Sequence, residues 1–321
     1  MAETGLRQAM AAAVLLLATG LTACAHPAQV AARPPVPYTV PTPTGATGAI
    51  GLHLPVERYM LTPTQSAQLS WVGNAMIRDC MRDHGFAFPA AQRPDAGSAT
   101  YSVMYRRYGV SDPASVRTWG YHAPVYGAQH DTPKSKDPVL SSVGAAEVLF
   151  GADPKTGRRV SSYHGRAVPE QGCSGSVDRL LGEHSGSPQG PETGQDGVLA
   201  RIKERSFADS MADPRTRKVF ADWSACMASR GYRVADPMHA ADALPPSTAS
   251  AAPSRAEIAQ AEADVACKSA TNLVGVWFAV ESDYQLAALH EVGPELAHIT
   301  AERDSEARTL RRLYRTYAGV S

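Results

Sequence analysis

The chain has no surplus of charge of either sign. Over 321 residues, 31 Lys and Arg balance 31 Asp and Glu. Binding to nucleic acid by phosphate neutralisation draws on a basic excess, so composition lends no support to that class. Long apolar runs are also scarce. The run from about Ala11 to Leu21 is too short to cross a bilayer as a mature helix. No two cysteines stand in Cys-x-x-Cys spacing, and the cysteines and histidines form no recognisable zinc ligand set. The strand–helix alternation of a two-lobed α/β solute-binding lipoprotein is missing as well.

Local catalytic signatures fail one by one. His290-Glu291-Val292-Gly293-Pro294 places a proline where a zinc protease needs its second histidine. Gly172-Cys173-Ser174-Gly175-Ser176 has serine where a nucleophile elbow needs its second glycine. The set of Ser-x-x-Lys plus Lys-Thr-Gly is not present, since no Ser-x-x-Lys accompanies Lys155-Thr156-Gly157. His290 and His298 with Glu295 would make at most a weak surface metal site, and Pro294 interrupts the helix that would align them. No catalytic residue, metal or cofactor is therefore expected. Triads assemble from distant residues, so an enzyme stays open as the alternative.

What is present begins with Leu21-Thr22-Ala23-Cys24. An apolar run ending in Leu, two small residues and Cys has the pattern of a bacterial lipobox, cut before the cysteine, whose thiol then carries diacylglycerol. The n-region offers only Arg7 and the amino terminus, offset by Glu3. An ordinary secretory cut would leave Cys24 an incidental thiol. The agreement of all four positions favours residues 1–23 as a lipoprotein signal peptide and Cys24 as the lipidation site. Two or more acyl chains, palmitate among them, meet the requirement for stable anchoring at the outer face of a cell membrane. Residues 24–55 hold Pro27, Pro34, Pro35, Pro37, Pro41, Pro43 and Pro55, which reads as a disordered, Pro-rich tether reaching about 3 Å per residue.

The remaining cysteines are Cys80, Cys173, Cys226 and Cys267, an even number for an oxidising compartment. Spacing allows three pairings, and an internal repeat selects among them. Cys80-Met81 with Gly85-Phe86 matches Cys226-Met227 with Gly231-Tyr232, as Cys-Met-x-x-x-Gly-aromatic. Each copy is followed by one further cysteine, so two equivalent units predict Cys80–Cys173 and Cys226–Cys267. The motif reads as a helix end, with glycine at the left-handed closing position and the aromatic packing back. Thr62-Pro63-Thr64-Gln65 and Asp213-Pro214 start the two helices, and Ser254 with Glu257 reads as a capping box.

These parts divide the body into a first helical unit over 56–183, a linker over 184–196 and a second unit over 197–321. The two units form either one compact body or two small domains. A helical region from Ser254 to about Ala318, broken near Gly293-Pro294, gives long C-terminal helices. The expected fold is mainly α, an irregular, disulfide-stapled helical body behind the tether.

Together with Ala263-Asp264-Val265-Ala266-Cys267-Lys268 running on to Trp277, the lipobox, tether and paired motifs resemble uncharacterised actinobacterial lipoproteins. That resemblance implies fold and location and carries no activity. Tyr101, Tyr105 and Tyr108 at helical spacing, beside Arg106 and ahead of Trp119 and Tyr121, form a candidate binding cluster for a glycan or an anion. The same residues also suit core aromatics under a loop. The favoured reading is a membrane-anchored extracytoplasmic binding or accessory module, with membrane lipid, an envelope protein or wall glycan as partners and no nucleic acid. A cell-wall hydrolase or carbohydrate-active enzyme is the alternative.

Overall fold

Helix starts and stops are written by side chains that satisfy the free backbone groups of a first or last turn. In a computed structural model describing residues 41–42, 48–94, 102–123, 142–181, 195–244 and 252–319, the expected caps are largely in place. Thr62 Oγ1 accepts from Gln65 N (3.2 Å) while Gln65 Oε1 accepts from Thr62 N (2.9 Å), opening helix α1, Pro63–Asp83. Asp112 caps α2 (Pro113–Trp119), Ser142 caps α3 (Val143–Phe150) and Asp213 caps α6 (Pro214–Ser229). Between them run α4 (Gly172–Leu181) and α5 (Gln195–Ala212). The C-terminal region holds α7 (Arg255–Thr271), α8 (Leu273–Glu291) and α9 (Gly293–Ala318). Among the described residues the only sheet is a two-residue hairpin, Ser162–Tyr163 against Arg166–Ala167.

The repeated motif closes α1 and α6 in the same way. Phe86 N donates to Met81 O (2.9 Å) and Gly85 N to Arg82 O (2.9 Å). Tyr232 N donates to Met227 O (3.0 Å) and Gly231 N to Ala228 O (3.0 Å). Gly85 and Gly231 have φ of +85° and +91°, where a Cβ would be strained. Met81 and Met227 are fully buried beneath the closing turns. The adjacent cysteines form the two expected bridges, Cys80–Cys173 and Cys226–Cys267.

The described residues cluster as one compact unit, and the helices of the two cysteine units interleave. Helix α1 packs on α9 and α2 packs on α7, both across the 184–196 stretch. The main core gathers Met104, Tyr108, Trp223, Met227, Leu273 and Trp277 around α5, α6 and α8. A second cluster surrounds Cys173 and Met81, and a third joins α1 and α4 to Leu310 of α9.

Four expectations are corrected. The tether does not extend to residue 55. Ala49, Leu54 and the following Val56 are buried in the main core, and Leu54 N and Val56 N bond Glu57 and Gln285. Apolar residues every few positions let that segment bury surface, which the prolines upstream do not. The run after Tyr101 is a series of turns instead of a helix, because Arg106 sits at φ +55°. Ser254 caps Glu257 N as expected, yet the Glu257 side chain turns away to bond Tyr121 N and His122. The C-terminal helical region breaks twice, at Val292 and also at Asn272, which takes a left-handed conformation. Cys24, Tyr101 and most of the linker lie outside the described residues.

Chain-entropy arguments give about 5 kcal/mol for the bridge of separation 93 and about 4 kcal/mol for that of separation 41. Replacing either cysteine pair by alanine should lower the chemical-denaturation midpoint without loss of helical circular dichroism. A midpoint unchanged by both replacements contradicts this account of the staples.

Candidate functional site

The turns at 102–109 are the densest point of chemistry in the body. Their first element is Arg107, whose Nε lies 2.9 Å and 3.0 Å from the two carboxylate oxygens of Glu281, with a second nitrogen donating to Oε1. Glu281 is fully buried on α8. Its Oε2 also accepts from Tyr108 Oη (2.7 Å), and its Oε1 accepts from Ser206 Oγ (3.1 Å) and Gln285 Nε2 (3.0 Å). Arg107 further donates to Lys203 O (2.7 Å) and lies over the Phe207 ring. A buried carboxylate is tolerated when its lone pairs are filled by well-aimed donors. Here both oxygens are engaged by the protein itself, so Glu281 has no lone pair to offer a substrate.

A second buried group sits on α7. Asp264 accepts from Trp223 Nε1 (2.9 Å) and from Lys268 Nζ (3.2 Å), which also donates to Val110 O (3.0 Å). Burial pushes the Asp264 carboxyl up, partly offset by the Lys268 charge. Burial likewise pulls the Lys268 ammonium down, partly offset by Asp264. A third contact set ties α2 to α7: Glu257 accepts from Tyr121 N and pairs with His122 Nδ1, both at 2.9 Å. Arg106 donates to the carbonyls of Tyr121 and His122 at 2.6 Å each.

Of the candidate aromatic and basic cluster, Arg106, Tyr108 and the Tyr121 backbone take part in these networks. Tyr108 is fully buried against Trp277, ring centroids 4.6 Å apart. Arg106 spends its terminal nitrogens on loop carbonyls, and burial pulls its guanidinium below the usual value. Tyr105, Trp119 and Tyr121 are half-buried. Tyr108 thus belongs to the core and Arg106 to a loop clamp.

His290, His298 and Glu295 are exposed and are not brought together; His298 pairs with Glu302 instead. Among the described residues, the one set of three metal-ligating residues within 4.8 Å is Cys80, His84 and Cys173. Its two sulfurs are bonded to each other, which leaves no thiolate for a metal. His84 instead bridges Cys80 O and Ala167 O at 2.9 Å and 3.0 Å.

Sequence reasoning missed Glu281 and the Asp264–Lys268 pair. A signal for each was available: Glu281 ends the apolar run Leu273–Val280, and Asp264 with Lys268 is an i,i+4 pair set among Ala261, Val265 and Cys267.

No helix among the described residues is long and apolar enough to cross a membrane. No protein-family model, curated protein or solved structure matches the chain.

Two outcomes are expected. Removing the carboxylate by Glu281→Ala strands Arg107 inside the body and should cost about 3–5 kcal/mol of unfolding free energy in denaturant melts. Glu281→Ala at wild-type stability would contradict the network. Tyr108 and Tyr121 carry phenols raised above the ordinary value near 10, chiefly by burial, then by Glu281 and Asp264 respectively. A raised folded-state value gives stability that is complete below about pH 10 and is lost as pH climbs beyond it. Melts from about pH 9 to about pH 11 should show that decline, and Tyr121→Phe should make it shallower.

Proposed function

We propose that this chain is a membrane-anchored, extracytoplasmic lipoprotein whose body is a non-catalytic binding or accessory module of the cell envelope. The observation that carries the reading is Leu21-Thr22-Ala23-Cys24 at the end of a short apolar run. The two disulfides support it, because such bridges persist where thiols are not kept reduced. The buried carboxylates support it too: Glu281, Asp264 and Glu257 are each committed to holding helices and loops together. The resemblance to actinobacterial lipoproteins points the same way.

In this reading the acylated Cys24 holds the body at the outer face of the membrane, and the proline-rich segment sets its distance. The partner is an envelope protein or the wall, met by the body's surface. Cys24→Ser should move the protein from the membrane fraction to the soluble extracytoplasmic fraction. Retention of the variant on membranes would sink the anchor. Cross-linking in intact cells followed by mass spectrometry should then recover a reproducible envelope protein with the wild type. Release of soluble wall fragments by the purified protein would instead establish a hydrolase.

A further inference from the structure

The first turn of α1 and the middle of α9 flank a solvent-open cavity of about 400 Å³, lined by Thr62, Gln65, Arg303, Asp304, Arg308 and Arg311 among others. Its charges divide into two groups. Arg303 and Asp304 neutralise each other: Arg303 Nε lies 2.9 Å from Asp304 Oδ1, another nitrogen lies 2.8 Å from the same oxygen, and its third nitrogen donates to Arg58 O (2.6 Å). Arg308 and Arg311 are exposed and have no ion-pair or hydrogen-bond partner among the described residues. The lining therefore carries three guanidinium groups against one carboxylate, and the positive end of the α1 dipole adds to that surplus.

Helix energetics account for Arg308 only in part, through Asp304 four residues before it, and not for Arg311. Cations favour a helix C-terminus only within its last turn, whereas Arg308 lies ten residues before Ala318, where α9 ends. Arg308 with Arg312 and Arg311 with Arg315 are like-charged i,i+4 pairs, each disfavoured by about 0.2–0.5 kcal/mol. An anion seated between Arg308 and Arg311 lowers the positive charge that each presents to Arg312 and Arg315. Guanidinium groups match phosphate oxygens in a two-pronged geometry, and the volume suits a small ligand group.

We propose that this cavity binds a phosphate group, with Arg308 and Arg311 as its ligands and the α1 first turn as its floor. The site lies in the folded body and stands whether or not Cys24 carries lipid. Two sources share the chemistry, a soluble phosphate ester and a phospholipid headgroup.

The test is calorimetric titration of the intact protein with inorganic phosphate and with glycerol phosphate, at constant ionic strength in chloride. Arg308→Gln/Arg311→Gln should weaken binding about tenfold or more, the loss of a charge-assisted hydrogen bond. Arg312→Gln/Arg315→Gln, outside the cavity lining, should bind as the wild type. Circular dichroism melts confirm that both variants fold. Binding no stronger than the chloride background, or equal weakening in both variants, overturns the site. Competition by phosphatidylglycerol vesicles, with phosphatidylcholine vesicles as reference, would support the site and name a lipid headgroup. Its absence, with phosphate binding intact, would support the site and name a soluble ester.

Discussion

The body is organised around one buried carboxylate. Taking Glu281 and the largely buried Arg107 out of water costs several kcal/mol per ion, and only a complete set of partners returns it. That requirement fixes positions far apart in sequence: Arg107 and Tyr108 from the turns, Ser206 from α5, and Gln285 one turn along α8. Gln285 then accepts from Val56 N, drawing in the segment that precedes α1. A small shift of any of these elements leaves a charge unpaired. Asp264 imposes the same condition on α6, α7 and Val110 through Trp223 and Lys268.

Around those two anchors the apolar core and the disulfides act without such precision. Tyr108, Phe207 and Phe220 all pack against Trp277, burying large rings where α5, α6 and α8 meet. Each disulfide joins the closing end of a helix to a partner helix, so the repeated motif supplies both the turn and the staple. The repeat is local, however: Cys80–Cys173 sits in its own small cluster, while Cys267 lies in the main core with Cys226 packed against it.

Much of this was legible in the sequence, and the reasons differ from element to element. Thr62, Asp213, Gly85 and Gly231 act within a few residues of themselves, so their spacing alone reports the helix ends. The disulfide pairing followed from the repeat because both copies use the same turn. Burial of charge was harder to read, since Glu281 and Asp264 look like ordinary helix surface until partners from distant segments arrive. The turns after Tyr101 were misread for a related reason. Their spacing suits a helix, but Arg106 adopts a left-handed conformation and its guanidinium holds two carbonyls of the 121–122 loop. The end of the tether is hidden in the sequence because proline content outweighs two well-placed apolar residues, Ala49 and Leu54. Within the candidate ligand cluster Tyr108 joins the core and Arg106 holds loop carbonyls, since aromatic and basic residues satisfy a network as readily as a ligand.

The central claim is that the Glu281 and Asp264 networks bind segments from both sides of residues 184–196 into one cooperative body. Differential scanning calorimetry of the intact protein tests this most directly. A single transition whose calorimetric and van't Hoff enthalpies agree is the predicted result. Two separable transitions, one for each cysteine unit, would contradict it.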